Sequence, residues 1–161
     1  MRGITHAGIF HAGDVFSTAL LQIVFGDDFQ TVRVEVPPEA LEDEVVVYDI
    51  DDCEFGYCRT NAPVRENGRP YASFGLLWKE FGSILVGDCQ AEKFDDDFVS
   101  IIDDNDCRDE PNPMSLMIDY FNPDPDELFP DPDEAFFNAV DWAKLCLENA
   151  IIHMQGAEEI L

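Results

Sequence analysis

Apolar residues recur along this chain with two periods, and the way one gives over to the other predicts an α/β fold. Residues 3–10 read as a short buried strand. After them Val15, Phe16, Ala19, Leu20 and Ile23 fall on one face of a helix over about 15–25, with Asp14 as its cap. Residues 31–36 alternate with period two and stop at Pro37-Pro38, whereas residues 45–48 are a continuous apolar run of the kind found in an interior parallel strand. Strand, helix, strand, strand predicts a mostly parallel sheet flanked by helices. Ligands of such sheets collect beyond the carboxyl ends of the strands, where Asp49 stands.

Beyond residue 70 the period is helical. Phe74, Leu77, Trp78 and Phe81 predict a helix over 71–81 that stops at Gly82, and Phe94, Phe98, Ile101 and Ile102 predict another over about 91–102. Asn112-Pro113 opens a short helix over 114–121. Asp124-Pro125-Asp126-Glu127 recurs as Asp131-Pro132-Asp133-Glu134, and the second copy reads as a helix start: Asp131 caps, Pro132 is first, and Glu134 is placed for a capping box. Proline at these positions rules out the ligand spacing of a calcium loop. The last helix runs from 132 to about 155, where Gly156 ends it. The chain reads as a single domain over 1–161, sheet-rich to about residue 90 and helical from about 91.

Composition narrows the function. Thirty-five acids against nine bases give a formal charge of -26, which excludes broad binding to phosphate backbones, since that needs Lys and Arg to displace counter-ions. Arg59, Arg65 and Arg69 concentrate what positive charge there is. No apolar run is long enough to span a bilayer, the N-terminus lacks a signal-peptide pattern, and the five cysteines show no regular pairing. Together these predict a cytoplasmic protein with cysteine thiols and no membrane partner.

His6, His11, Asp14, Asp49, Asp103 and Asp106 come from separate segments, each near the end of a predicted element, which is how an α/β metal site is assembled. Their Asp and His side chains are the hard ligands that metal-assisted phosphodiester hydrolysis needs. Thr5-His6-Ala7-Gly8-Ile9-Phe10-His11-Ala12-Gly13-Asp14, Asp49-Ile50, the stretch 65–78 opening Arg65-Glu66-Asn67-Gly68, and Asp103-Asp104-Asn105-Asp106 carry a resemblance that runs end to end. By them the chain resembles the melanocyte-proliferating-gene (MYG) family of metal-dependent hydrolases, a branch of the DHH phosphoesterase superfamily, in its short bacterial form. The resemblance implies a Mn²⁺- or Mg²⁺-dependent phosphoesterase or exonuclease acting on nucleic acid; those six residues are the candidate metal ligands, and the local arginine cluster offers Arg65 or Arg69 to steer phosphate.

The departures are as specific as the matches. Gly13 stands where the family has Asp, and Gly56-Tyr57-Cys58 stands where it has the signature Asp-His-His, so four ligand positions are lost; Cys107 replaces an Asn. Glycine offers no donor, and a tyrosine phenol, titrating at about 10, is a poor one. The expectation is one ion at most, Mn or Mg. Zinc is disfavoured because Cys53, Cys58 and Cys107 lack standard zinc spacing. Three functions remain open. The chain is a degenerate relative with weakened or lost catalysis, a residual phosphodiesterase acting on short oligonucleotides or nucleotides, or an acidic decoy for a basic, nucleic-acid-binding protein.

Overall fold

The computed structural model describes residues 1–39, 43–50, 53–56, 63–124, 126 and 131–160. Three short strands, β1 (Arg2–His6), β2 (Gln30–Val34) and β3 (Val45–Val47), form a parallel sheet in the order β2-β1-β3. Arg2 is in register with both Gln30 and Val45. The fold is α/β, as the periodicities predict.

Between β1 and β2 runs α1 (Ala12–Phe25), whose first ten residues are all buried. Its apolar sides face α2 (Ser73–Val86) and α6 (Pro132–Ile160), so α1 is the axis of the core. Phe16 lies at its centre, 5.5 Å from Phe74, 5.4 Å from Phe98 and 6.5 Å from Trp142 between ring centroids. Large rings filling one space from four elements give this core its density.

Several predicted boundaries shift. β1 ends at His6 rather than at residue 10, and Phe10 is buried from a loop, held by two hydrogen bonds between its backbone and the Asn122 side chain. The first helix starts three residues early, so that His11 is the N-cap and Asp14 the third helical residue. Gly82 does not stop α2, because the ring of Trp78 packs where its side chain would be, and the helix continues to Val86.

The predicted 91–102 helix is three pieces: α3 (Asp88–Phe94), a π-helical turn (Asp95–Val99) and α4 (Ser100–Arg108). A π turn inserts a residue into the helical phase, which apolar spacing over one window does not reveal. α5 (Pro113–Asp119) starts with the expected Asn112 cap, whose side chain accepts from the Ser115 amide. Asp131 accepts from the Asp133 amide ahead of α6, which runs past Gly156 to Ile160. Asp124 likewise accepts from the Asp126 amide; Pro125 and Glu127 lie outside the described residues.

Candidate metal centre

In a parallel sheet ordered β2-β1-β3 the chain leaves β1 toward one neighbour and returns as β3 on the other side, which opens a crevice at the carboxyl ends of those two strands. His6 is the last residue of β1 and Asp49 comes two residues after β3, so the topology itself sets these two side chains together. Asp49 has φ +57°, the left-handed conformation that Asp tolerates better than most residues. This bend turns the chain out of the strand, and the Asp49 amide donates to Phe55 O.

His6 Nε2 lies 2.9 Å from Asp49 Oδ2 and 3.2 Å from Asp14 Oδ2. One donor atom from each of these three residues lies within 4.8 Å of the other two, the spacing of a cation site. His6 Nδ1 is 3.0 Å from Ala7 O. A proton on Nδ1, donated to that carbonyl, would leave Nε2 with a lone pair facing the carboxylates. Ser73, the first residue of α2, donates its hydroxyl to Asp49 Oδ1 at 3.0 Å, and the His11 amide donates to Asp14 Oδ1 at 2.9 Å. Each carboxylate therefore keeps one oxygen held by the protein and turns the other toward His6.

The electrostatics of the cluster are those of crowded, buried acids. Asp14 is wholly buried, and burial, with the Asp49 charge adding to it, pushes its carboxyl up to about 7. The hydrogen bond to Asp49 holds the His6 imidazolium and raises its pKa to about 9 despite burial. A proton on His6 thus stands where a cation would neutralise two acids. Asp14 Oδ2 has no hydrogen-bond partner. Carboxylate oxygens and one imidazole nitrogen suit a hard divalent ion, so the residues present fit such an ion.

The other expected ligands are placed differently. His11 is outside the cluster; its side chain is 60% exposed, with Nδ1 3.5 Å from Asp119 Oδ1. Asp103 is wholly buried and bound to Arg65 Nη2 at 2.7 Å and to the Gly75 amide at 3.0 Å. Asp106 is 7% exposed and lies over Gly13, where a Cβ on that glycine would come 1.8 Å from its Oδ2.

Arg65 also holds Asp95 through Nε at 2.7 Å and Nη2 at 2.8 Å, donates to Pro70 O, and stacks 4.1 Å over the Tyr71 ring. Its side chain is 4% exposed. Arg69 is the open one, 40% exposed, with Nε 3.3 Å from Asp104 and Nη1 donating to Ser100 Oγ at 3.0 Å.

Of the four positions lacking ligands, Gly13 and Gly56 are described, and Tyr57 and Cys58, like Arg59, lie outside the described residues. A Cβ at Gly56 would meet Ile50 O at 2.7 Å, so the tight turn there takes no side chain without shifting. Cys107 is disulfide-bonded rather than a thiol, because the tertiary structure and not the spacing decides which sulfurs meet.

Compared with known families, residues 3–158 match the model of the MYG1 exonuclease family, described as an uncharacterised protein family (UPF0160). The chain belongs to the MYG1 family. Membership over nearly the whole length confirms the resemblance drawn from the opening His-rich stretch and the Arg65–Trp78 region, and places the chain in a metal-dependent, phosphoesterase-like family. No curated protein and no solved structure gives a significant match. Sequence reasoning missed Ser73, which falls inside the helix predicted over 71–81 but is the first residue of α2, from where its hydroxyl reaches Asp49. No helix among the described residues is long and apolar enough to cross a membrane.

Proposed function

We propose that this MYG1-family chain is a weakened phosphoesterase that holds one divalent ion, Mn²⁺ or Mg²⁺, through His6, Asp14 and Asp49. The observation that carries the reading is the convergence of His6 Nε2 on Asp49 Oδ2 and Asp14 Oδ2, at 2.9 and 3.2 Å, with the buried Asp14 oxygen otherwise unpartnered. A buried, unpaired carboxylate is costly unless a cation or a proton joins it.

When bound, such an ion supplies Lewis-acid stabilisation of a phosphoryl oxygen and acidifies water. The chain's own residues do the rest. Ala7 O and Asp49 fix the His6 ring, Ser73 orients Asp49, and the His11 amide orients Asp14. Of Arg65 and Arg69, Arg69 is the more exposed and the better placed to meet a phosphate, since the Arg65 donors are held by Asp95, Asp103 and Pro70. Two-ion chemistry needs ligands for a pair of cations about 3.5–4 Å apart. Glycines at positions 13 and 56 and an outward His11 leave the described residues with one three-ligand cluster. The -26 charge favours a nucleotide or short oligonucleotide over a long strand.

Calorimetric Mn²⁺ titration beside hydrolysis of a short oligonucleotide tests this, with Asp49→Ala as the control. One ion per chain, lost in the variant, is the expected result, with slow hydrolysis that disappears with it. Two ions per chain, or binding untouched by Asp49→Ala, would overturn the proposal.

A further inference from the structure

Positive charge is scarce in this chain, nine bases against 35 acids, yet two arginines converge on one carboxylate outside the His6 cluster. Asp104 of α4 is 6% exposed. Its Oδ2 lies 3.3 Å from Arg69 Nε, and its Oδ1 accepts at 2.5 Å from Nη2 of Arg108, one helical turn further on. Both carboxylate oxygens are thereby taken. The guanidiniums are not: their side chains are 40% and 50% exposed, and among the described residues Arg69 Nη2 and Arg108 Nε and Nη1 make no hydrogen bond. Arg69 Nη1 donates to the hydroxyl of Ser100, the first residue of α4. A carboxylate shared by two arginines offsets their mutual repulsion and presents their remaining donors together.

The three side chains line a recess of about 310 Å³ with Ile101, Glu110 and Pro111. The end of α4 builds one wall of it. Asp109 takes the left-handed conformation, φ +55°, that stops the helix. The chain then turns back, so that the Glu110 amide reaches Asp104 O at 3.4 Å and Asn105 Nδ2 donates to Glu110 O at 3.1 Å. No residue of this recess belongs to the cluster of His6, Asp14 and Asp49.

We propose that the recess is an anion subsite for a phosphomonoester, with Arg69 and Arg108 as the two arms of a clamp. A terminal phosphate carries a charge of about -1.5 to -2 and three acceptor oxygens, which two planar guanidinium forks match. An internal phosphodiester carries a single charge and is matched less well. The clamp therefore selects the end of a nucleotide or short oligonucleotide over its interior. This rests on the role proposed above for Arg69 in meeting phosphate, to which Arg108 adds a second arm and a preference for a terminal group. The acid excess of the whole chain does not defeat the clamp, because at physiological salt exposed charges more than about 8 Å away are largely screened. Glu110 is the exposed acid of the recess that opposes it.

The full-length chain, kept free of divalent ions so that no metal-dependent hydrolysis intervenes, is titrated by calorimetry with 5′-AMP, inorganic phosphate and the diester adenylyl-3′,5′-adenosine. Wild type, Arg69→Gln, Arg108→Gln, Arg108→Lys and Glu110→Gln are compared, with a melting temperature beside each titration. The diester, which has no terminal phosphate, should bind about tenfold or more weaker than 5′-AMP. Equal affinity for 5′-AMP and inorganic phosphate places the recognition in the phosphate alone, and a tighter 5′-AMP extends it to the nucleoside; both support the clamp. Arg108→Gln is expected to weaken 5′-AMP binding about tenfold or more, as loss of charge-assisted hydrogen bonds does, with Arg108→Lys between. Glu110→Gln should strengthen it about twofold or more. A merely structural Arg108 would lower the melting temperature and leave affinity unmoved. If 5′-AMP binds and Arg69→Gln weakens it while Arg108→Gln stays within about twofold of wild type, or if the diester binds as tightly, this inference alone is overturned. A wild type that binds neither 5′-AMP nor inorganic phosphate overturns the phosphate role of Arg69 together with it.

Discussion

Replacing Arg65 by Met tests whether this arginine is a substrate ligand or a structural cation. The structure assigns it the second role: its side chain is 4% exposed and bridges Asp95, itself 16% exposed, to the wholly buried Asp103. Burial already lifts Asp103 to about 6 against the pull of Arg65. Removing one partner of a buried pair costs about 3–5 kcal/mol, because the other charge stays behind without compensation. In a domain of this length each kcal/mol lowers the melting temperature by about 2–4 °C, so Arg65→Met should melt roughly 6–20 °C below the wild type.

The loss has a pH signature. A carboxyl whose folded pKa lies above its unfolded 3.8 stabilises fully below that value and loses the contribution as pH rises through the folded pKa. Without Arg65 that folded pKa rises further, so the deficit should be larger at pH 8 than at pH 5. Arg65→Lys should fall between, since an ammonium cannot reproduce the bidentate hold on Asp95. Urea or thermal unfolding at the two pH values reads the effect. A variant that melts within about 2 °C of the wild type at pH 8 but binds oligonucleotide phosphate weakly would refute the assignment and return Arg65 to the substrate.

Mn²⁺ binding should release protons. His6 is raised to about 9 and Asp14 to about 7, so their contribution to the ion-free fold is complete below their unfolded values and is lost as pH rises through 7 and then 9. Ion-free melting temperature should therefore fall, and Mn²⁺ affinity rise by about tenfold per pH unit for each displaced proton, between pH 6.5 and 9; calorimetry in buffers of different ionisation enthalpy counts the protons, and a flat profile contradicts the site. Gly75→Ala should destabilise by several kcal/mol, on the order of a strained buried pair, because its Cβ would meet both Asp103 Oδ2 and, at 2.6 Å, Arg65 Nη2. A melting curve matching the wild type would show that α2 and α4 can separate cheaply. Phe136→Ala should cost about 3–5 kcal/mol, since its buried ring packs against Phe10 at 5.5 Å and beneath the Arg33 guanidinium at 4.4 Å; chemical denaturation measures it.

What the sequence determined by itself is local. Period-two and period-3.6 spacing gave the strand and helix order, and a continuous valine run ending at Asp49 placed that residue at a strand's carboxyl end, because which face of an element is apolar depends only on neighbours within two turns. The same logic failed where the helical phase changes, at the π turn of 95–99, and where a ring fills a glycine's space, at Gly82. Which aspartate joins the His6 cluster and which meets an arginine was decided only by tertiary structure. Asp103 and Asp106 are one helical turn apart and chemically identical in the sequence, yet one reaches Arg65, 38 residues away, and the other lies over Gly13. A carboxylate's role is set by the charge that neutralises it, and across the fold that partner is chosen by packing, not by spacing along the chain.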